Sequence, residues 1–231
     1  MIKINLKVVA LFFFAVITLY SCSTDDKETP VDYGISTGNY FPLVENNKWW
    51  YTENNEMSLL YIGGVLNFNN VPYHRLLNSD SDYPEWISKQ GASYFKKTGQ
   101  VLVPAPNGAT VEIGEYEIKI LKDDVDVGAS WMGSPQYSVR VYNGGSPQSV
   151  PATLRYTGTI LERDVIENIN GVTYSNVIKA NLNIVQVVNS QTTTIETNYW
   201  FAKDIGIIKQ SLRSSTDNIT RTMILDNYEL N

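Results

Sequence analysis

The sequence predicts an all-β fold, a single antiparallel meander curved into a half-barrel or barrel with at most one or two short helices. Three observations predict it. Apolar and polar residues alternate over several runs, turn-forming residues recur between those runs, and no stretch beyond residue 22 holds a helical period for three turns with capping residues at both ends.

Taken in chain order, the β signal starts at Tyr40 with the aromatic run Trp49-Trp50-Tyr51. Val111-Glu112-Ile113 through Glu117-Ile118-Lys119-Ile120 alternates and follows the turn signal Asn107-Gly108. Tyr137 to Tyr142 alternates next and runs into Asn143-Gly144-Gly145. Asn170-Gly171 lies between Val165-Ile166 and Val172-Tyr174, the strongest short hairpin signal available. The clearest alternation is Lys179-Ala180-Asn181-Leu182-Asn183-Ile184, which puts apolar side chains on one sheet face and polar ones on the other. Thr220 to Leu225 repeats that pattern after the reversal Ser214 to Asn218. About ten strands are expected from the usual spacing of such turns. No fixed-period repeat is visible, which argues against a propeller or solenoid.

Ahead of this domain stands a leader. Lys3 and Lys7 supply a positive start, Val8 to Leu19 an apolar stretch, and Ser21 a small residue before the chain's one cysteine, Cys22. The stretch is too short and wrongly flanked for a spanning helix and has the layout of a signal peptide. Leu19-Tyr20-Ser21-Cys22 resembles the lipobox of bacterial lipoproteins. That resemblance implies cleavage before Cys22 and lipidation of its thiol and new amino terminus, palmitate-type acylation included. The expected organisation is a signal peptide over 1–21, lipidated Cys22 with a flexible acidic tether over 22–38, and one β-rich domain over 39–231. The acidic run Ser23-Thr24-Asp25-Asp26-Lys27-Glu28 resembles the export signal of Bacteroidota-type surface lipoproteins. It implies an outer-membrane location, on the periplasmic face or the cell surface.

Composition narrows the partners. The chain has 18 basic and 24 acidic residues, and loss of Lys3 and Lys7 with the leader takes the net charge from −6 to near −8. Such a surface repels nucleic acid and gains nothing from anionic lipid, so membrane attachment falls to the lipid on Cys22. With a single cysteine no internal disulfide forms, and stability must come from a packed core.

Reactive constellations are scarce. One histidine, His74, followed by Arg75, which would disfavour its protonation, cannot furnish a zinc site, and no G-x-S-x-G elbow accompanies it. Asp123-Asp124-Val125-Asp126 and Asp80-Ser81-Asp82 offer oxygen ligands without the spacing of a calcium loop, and read as solvated turns. No catalytic, cofactor-binding or metal-binding residue is assigned, and no enzyme activity is expected. Trp49, Trp50, Trp86, Trp131 and Trp200 accompany fifteen tyrosines. Their faces suit sugar stacking or an apolar pocket, although Trp49, Trp131 and Trp200 are expected in the core.

Two segments resemble those of outer-membrane lipoproteins of unassigned function. Tyr40-Phe41-Pro42-Leu43-Val44-Glu45-Asn46-Asn47-Lys48-Trp49-Trp50-Tyr51 is similar to their FPL-x-x-G-[ND]-x-W-x-Y opening. Tyr199-Trp200-Phe201-Ala202-Lys203-Asp204-Ile205-Gly206-Ile207-Ile208-Lys209 is similar to their Y-[WY]-[FY]-A-K-G-[VI]-G-[LI]-[VI]-K segment. Asn46 and Asp204 replace glycines of those patterns, and both residue types tolerate left-handed backbone. The resemblance implies a β-rich domain distantly similar to the half-barrels of lipoprotein carriers, with no catalytic residues. The expected function is a noncatalytic binding or carrier module of the cell envelope, holding a lipid, glycan or peptide. The alternative is a structural or protein-interaction subunit of an outer-membrane assembly, and a hydrolase ranks last.

Overall fold

Twelve strands share one antiparallel sheet that curls until its two ends meet. The computed structural model describes residues 32–78 and 81–231. In chain order the strands are β1 (Lys48–Glu53), β2 (Glu56–Phe68), β3 (Val71–Asn78), β4 (Ser81–Gln90), β5 (Ser93–Thr98), β6 (Val101–Pro104), β7 (Thr110–Ile113) and β8 (Tyr116–Lys122). They continue with β9 (Ser130–Gly133), β10 (Val139–Tyr142), β11 (Gln148–Val150), β12 (Ala152–Ile169), β13 (Val172–Val188), β14 (Gln191–Ala202), β15 (Gly206–Ser214) and β16 (Thr220–Glu229). Among the described residues the helical content is one 3-10 turn, Pro106–Gly108.

The large sheet runs β8-β5-β4-β3-β2-β1-β16-β15-β14-β13-β12-β9, so pairing of the first and last strands joins two meanders. The expected single meander is interrupted twice. Between β5 and β8, and again between β9 and β12, the chain leaves to build a small sheet, β11-β10-β7-β6. Val111 to Ile120 therefore forms two strands in two sheets, because the chain turns at Gly114, whose amide donates to Ser138 O at 2.9 Å. These excursions bring the count to sixteen strands among the described residues, where about ten are expected.

Tight turns set the register. The Asn170-Gly171 hairpin forms as predicted, with φ of 50° and 81° and Ile169 opposite Val172. Asn54-Asn55, Asn69-Asn70 and Asn189-Ser190 make equivalent turns with both φ positive, the condition for a type I′ connection. Asn46 (φ 68°) and Asp204 (φ 61°) adopt the left-handed conformation anticipated for them.

The ends of the sheet meet at β8 and β9 through side chains. Trp131 of β9 donates its indole N–H to Lys119 O of β8 at 2.9 Å, and its ring lies over Gly158 of β12, where a Cβ would fall 2.1 Å from it. The result is a barrel closed except at one seam. Its interior is filled by aromatic and branched side chains, with Trp49, Tyr51, Ile62, Tyr94, Leu154, Ile178 and Phe201 almost wholly buried. Shielding such area from water is the main source of stability in a chain without disulfides.

One end of the barrel is covered by the segment leading into β1. Tyr40 and Phe41 are each 1% exposed. Phe41 stacks on Trp49 at 5.0 Å between centroids, and the Tyr40 amide donates to Tyr94 Oη at 2.8 Å. The cover begins earlier than the expected domain start. Ala92 donates its amide to Tyr33 O, and Ser36 Oγ and the Thr37 amide donate to Asp123 Oδ2 and Oδ1 at 2.7 and 2.8 Å.

Candidate functional site

Strand alternation decides which side chains enter the barrel. In β4 and β5, Glu85, Ile87 and Lys89 share the interior face with Tyr94 and Lys96, whereas Trp86, Ser88, Phe95 and Lys97 point the other way. Lys96 and Glu85 therefore project inward and meet, Nζ to Oε1 at 2.7 Å. Beside them is a cavity of about 160 Å³. Its apolar wall comes from Phe41, Leu60, Leu76, Ile87, Ile120, Ile207 and Met223, and Asn78, Gln210 and Tyr199 complete the lining. It thus reaches from β2–β5 across the barrel to β14–β16.

The electrostatics of the pair follow from that setting. Burial depresses the Lys96 ammonium, but the adjacent Glu85 carboxylate together with Tyr199 and Tyr116 outweighs it, and Lys96 titrates above its ordinary value. Tyr199 is pushed up by burial, against the opposing effect of Lys96. The Lys96 and Glu85 side chains remain 29% and 21% exposed, so the polar side of the cavity communicates with solvent. An interior that pairs an apolar wall with a few convergent polar groups has the makeup of a small-molecule site. No local sequence pattern singles out Lys96 or Glu85. The available signal was an acid and a base at inward positions of neighbouring strands, and that requires the register.

His74 also lies on the interior face, opposite Ile87, at a cleft formed with Asn39, Leu43, Val44, Pro72 and Lys89. Burial lowers its pKa, against a smaller opposing effect of Glu45. The neighbour expected to do this, Arg75, alternates to the other sheet face. Asp123, expected in a solvated turn, is completely buried, because its carboxylate holds Ser36 and Thr37. Asp124 pairs with Lys122 at 2.8 Å. Among the described residues no group of three or more His, Cys, Asp and Glu is placed to hold a metal. Asp80 and Cys22 lie outside the described residues.

The tryptophans divide. Trp49 and Trp131 are core residues whose indole N–H groups donate to Ile205 O (2.7 Å) and Lys119 O. Trp200 meets the expectation only in part: it is half-buried and packs against the core, but it follows inward-facing Tyr199 and precedes inward-facing Phe201. Its ring lies on the outer face beneath Lys209, whose Nζ stands 4.7 Å from the centroid.

No protein-family model matches the sequence, and no curated protein matches it. Among solved structures, the chain is similar to a candidate lipoprotein of Parabacteroides distasonis ATCC 8503, with 12% identity over 82% of this chain and 98% of the other, at a TM-score of 0.49. It is also similar to a candidate exported protein with a YmcC-like fold from Bacteroides fragilis NCTC 9343, with 8% identity, the same coverages and a TM-score of 0.44. At such identities and scores these likenesses bear on neither ligand nor activity.

Proposed function

We propose that this protein is a lipid-anchored envelope protein whose barrel binds a small molecule without chemically changing it. The observation that carries the reading is the interior cavity of about 160 Å³, apolar on most of its wall and bordered by the Lys96–Glu85 pair. A protein interior is normally packed to crystal-like density, so a void of this size with convergent polar groups needs a reason, and a ligand supplies one. Cys22, at the end of the leader, is the proposed lipid attachment, with the outer membrane as destination. The domain then stands off the membrane on the acidic residues after Cys22, and its negative charge keeps it from anionic surfaces.

The reading as a structural subunit has less behind it. The most exposed large apolar side chains within strands, Met57, Met132 and Ile166, stand on three separate strands. Native mass spectrometry of the full chain purified from its own host tests the binding reading. A bound small molecule is expected in the wild type and lost in Met223→Trp, which fills the cavity. Absence of any bound species, or its retention in Met223→Trp, overturns the assignment of the interior as the site.

A further inference from the structure

Resting on the reading of the barrel interior as a binding site, we propose that its ligand is a small uncharged amphiphile. An apolar part of about six carbons fills the space between Phe41, Leu76, Ile87 and Met223, and a hydroxyl or amide head group lies against Lys96 and Glu85. Two independent observations set this class, one of volume and one of charge.

Volume sets the length. A dry cavity of about 150 Å³ accommodates one benzene ring, whereas sites for drug-sized ligands run from about 300 Å³ upward. At about 160 Å³ this cavity admits one ring or a short chain and excludes the acyl chains of a membrane lipid. The expected idea of a lipid carrier is thereby narrowed to a far smaller cargo.

Charge sets the head group. Lys96 and Glu85 neutralise each other at 2.7 Å, and the other polar lining residues, Asn78, Gln210 and Tyr199, carry amides and a phenol. A ligand carboxylate arriving there meets Glu85, and a ligand ammonium meets Lys96. Either would bring an uncompensated charge out of water, which a partly buried site does not tolerate. An uncharged head that both donates and accepts can instead accept a hydrogen bond from the ammonium and donate one to the carboxylate, leaving the pair intact.

Calorimetric titration of the full chain at neutral pH with 1-hexanol, hexanamide, hexanoate, hexylammonium and palmitate tests the proposal. The alcohol and the amide are expected to bind at least about tenfold more tightly than either six-carbon ion, given the cost of moving an unpaired charge out of water. Glu85→Gln should shift the preference to hexanoate and Lys96→Met to hexylammonium. The double variant Glu85→Gln/Lys96→Met removes both charges and should restore the preference for uncharged heads, which keeps the test decisive if a single variant fails to fold. Preference for an ion in the wild type, for palmitate, or for no head group in particular overturns this proposal and leaves interior binding standing. If none of the compounds binds, this proposal falls, and the native mass spectra of wild type and Met223→Trp decide whether interior binding falls with it.

Discussion

His74 carries a proton balance that connects stability to pH. Its Nδ1 is buried with no hydrogen-bond partner among the described residues, and burial holds the imidazole below its ordinary value near 6.5. The unfolded chain therefore binds that proton more readily than the folded one, and stability is lost as pH falls from about 7 toward 5. Chemical denaturation at these two pH values should show a lower midpoint at pH 5, with a smaller difference in His74→Leu. An equal difference in the variant would assign the effect to other groups. Asp123 illustrates how a residue's surroundings outweigh its type. A carboxylate is rarely buried completely, yet here two donors from residues 36 and 37 satisfy it, and Arg163 Nη2 donates to its main-chain oxygen at 3.1 Å. Its neighbours in sequence suggest a solvated loop, because residues 36 and 37 are 86 positions or more away along the chain.

At the level of the elements, the seam is where the barrel depends on single side chains. Everywhere else strand joins strand through a ladder, whereas β8 and β9 meet through Trp131, seated over Gly158. Gly133 beside it carries the ring of Tyr156 in the same manner, 2.5 Å from where a Cβ would stand. Gly158→Ala should push the indole off its seat and cost about 1–3 kcal/mol, the usual range for overpacking a well-filled site. Denaturant unfolding measures the loss, and amide exchange should quicken in β8 and β9 more than in β13 and β14. Unchanged exchange at the seam would show that Trp131 does not hold it. The hairpins draw on sequence more directly. Asn170-Gly171 is recognisable at once, but Asn54-Asn55, Asn69-Asn70 and Asn189-Ser190 do the same work without glycine, because asparagine tolerates positive φ.

For the whole molecule, the proposed membrane attachment and the proposed ligand binding fall to separate parts of the chain. The surface charge opposes adsorption to anionic lipid, so Cys22→Ala should leave the protein unlabelled by radioactive palmitate and release it from the membrane fraction. Retention in the membrane would overturn the anchor. The cover formed by Tyr33 to Leu43 precedes β1 in the chain, and it closes one end of the barrel with Tyr40 and Phe41. The sequence marks this segment as aromatic but not as a plug, since its partners Tyr94 and Asp123 lie 54 and 86 positions further on.

The sequence by itself determined the β class, the alternation of inward and outward residues and the best-marked hairpin, all of which depend on interactions within a few residues. It also holds the leader-like run and the lone cysteine on which the proposed anchor rests. Only the tertiary structure decided that the sheet closes on itself, that part of the chain leaves to form a second sheet, and that Trp200 faces outward while Asp123 is buried. The candidate site belongs wholly to that second group. Lys96 and Glu85 sit on adjacent strands, but the wall they face is built from β14, β15 and β16, more than a hundred residues away. Contacts of that separation depend on register and closure, which no local pattern encodes.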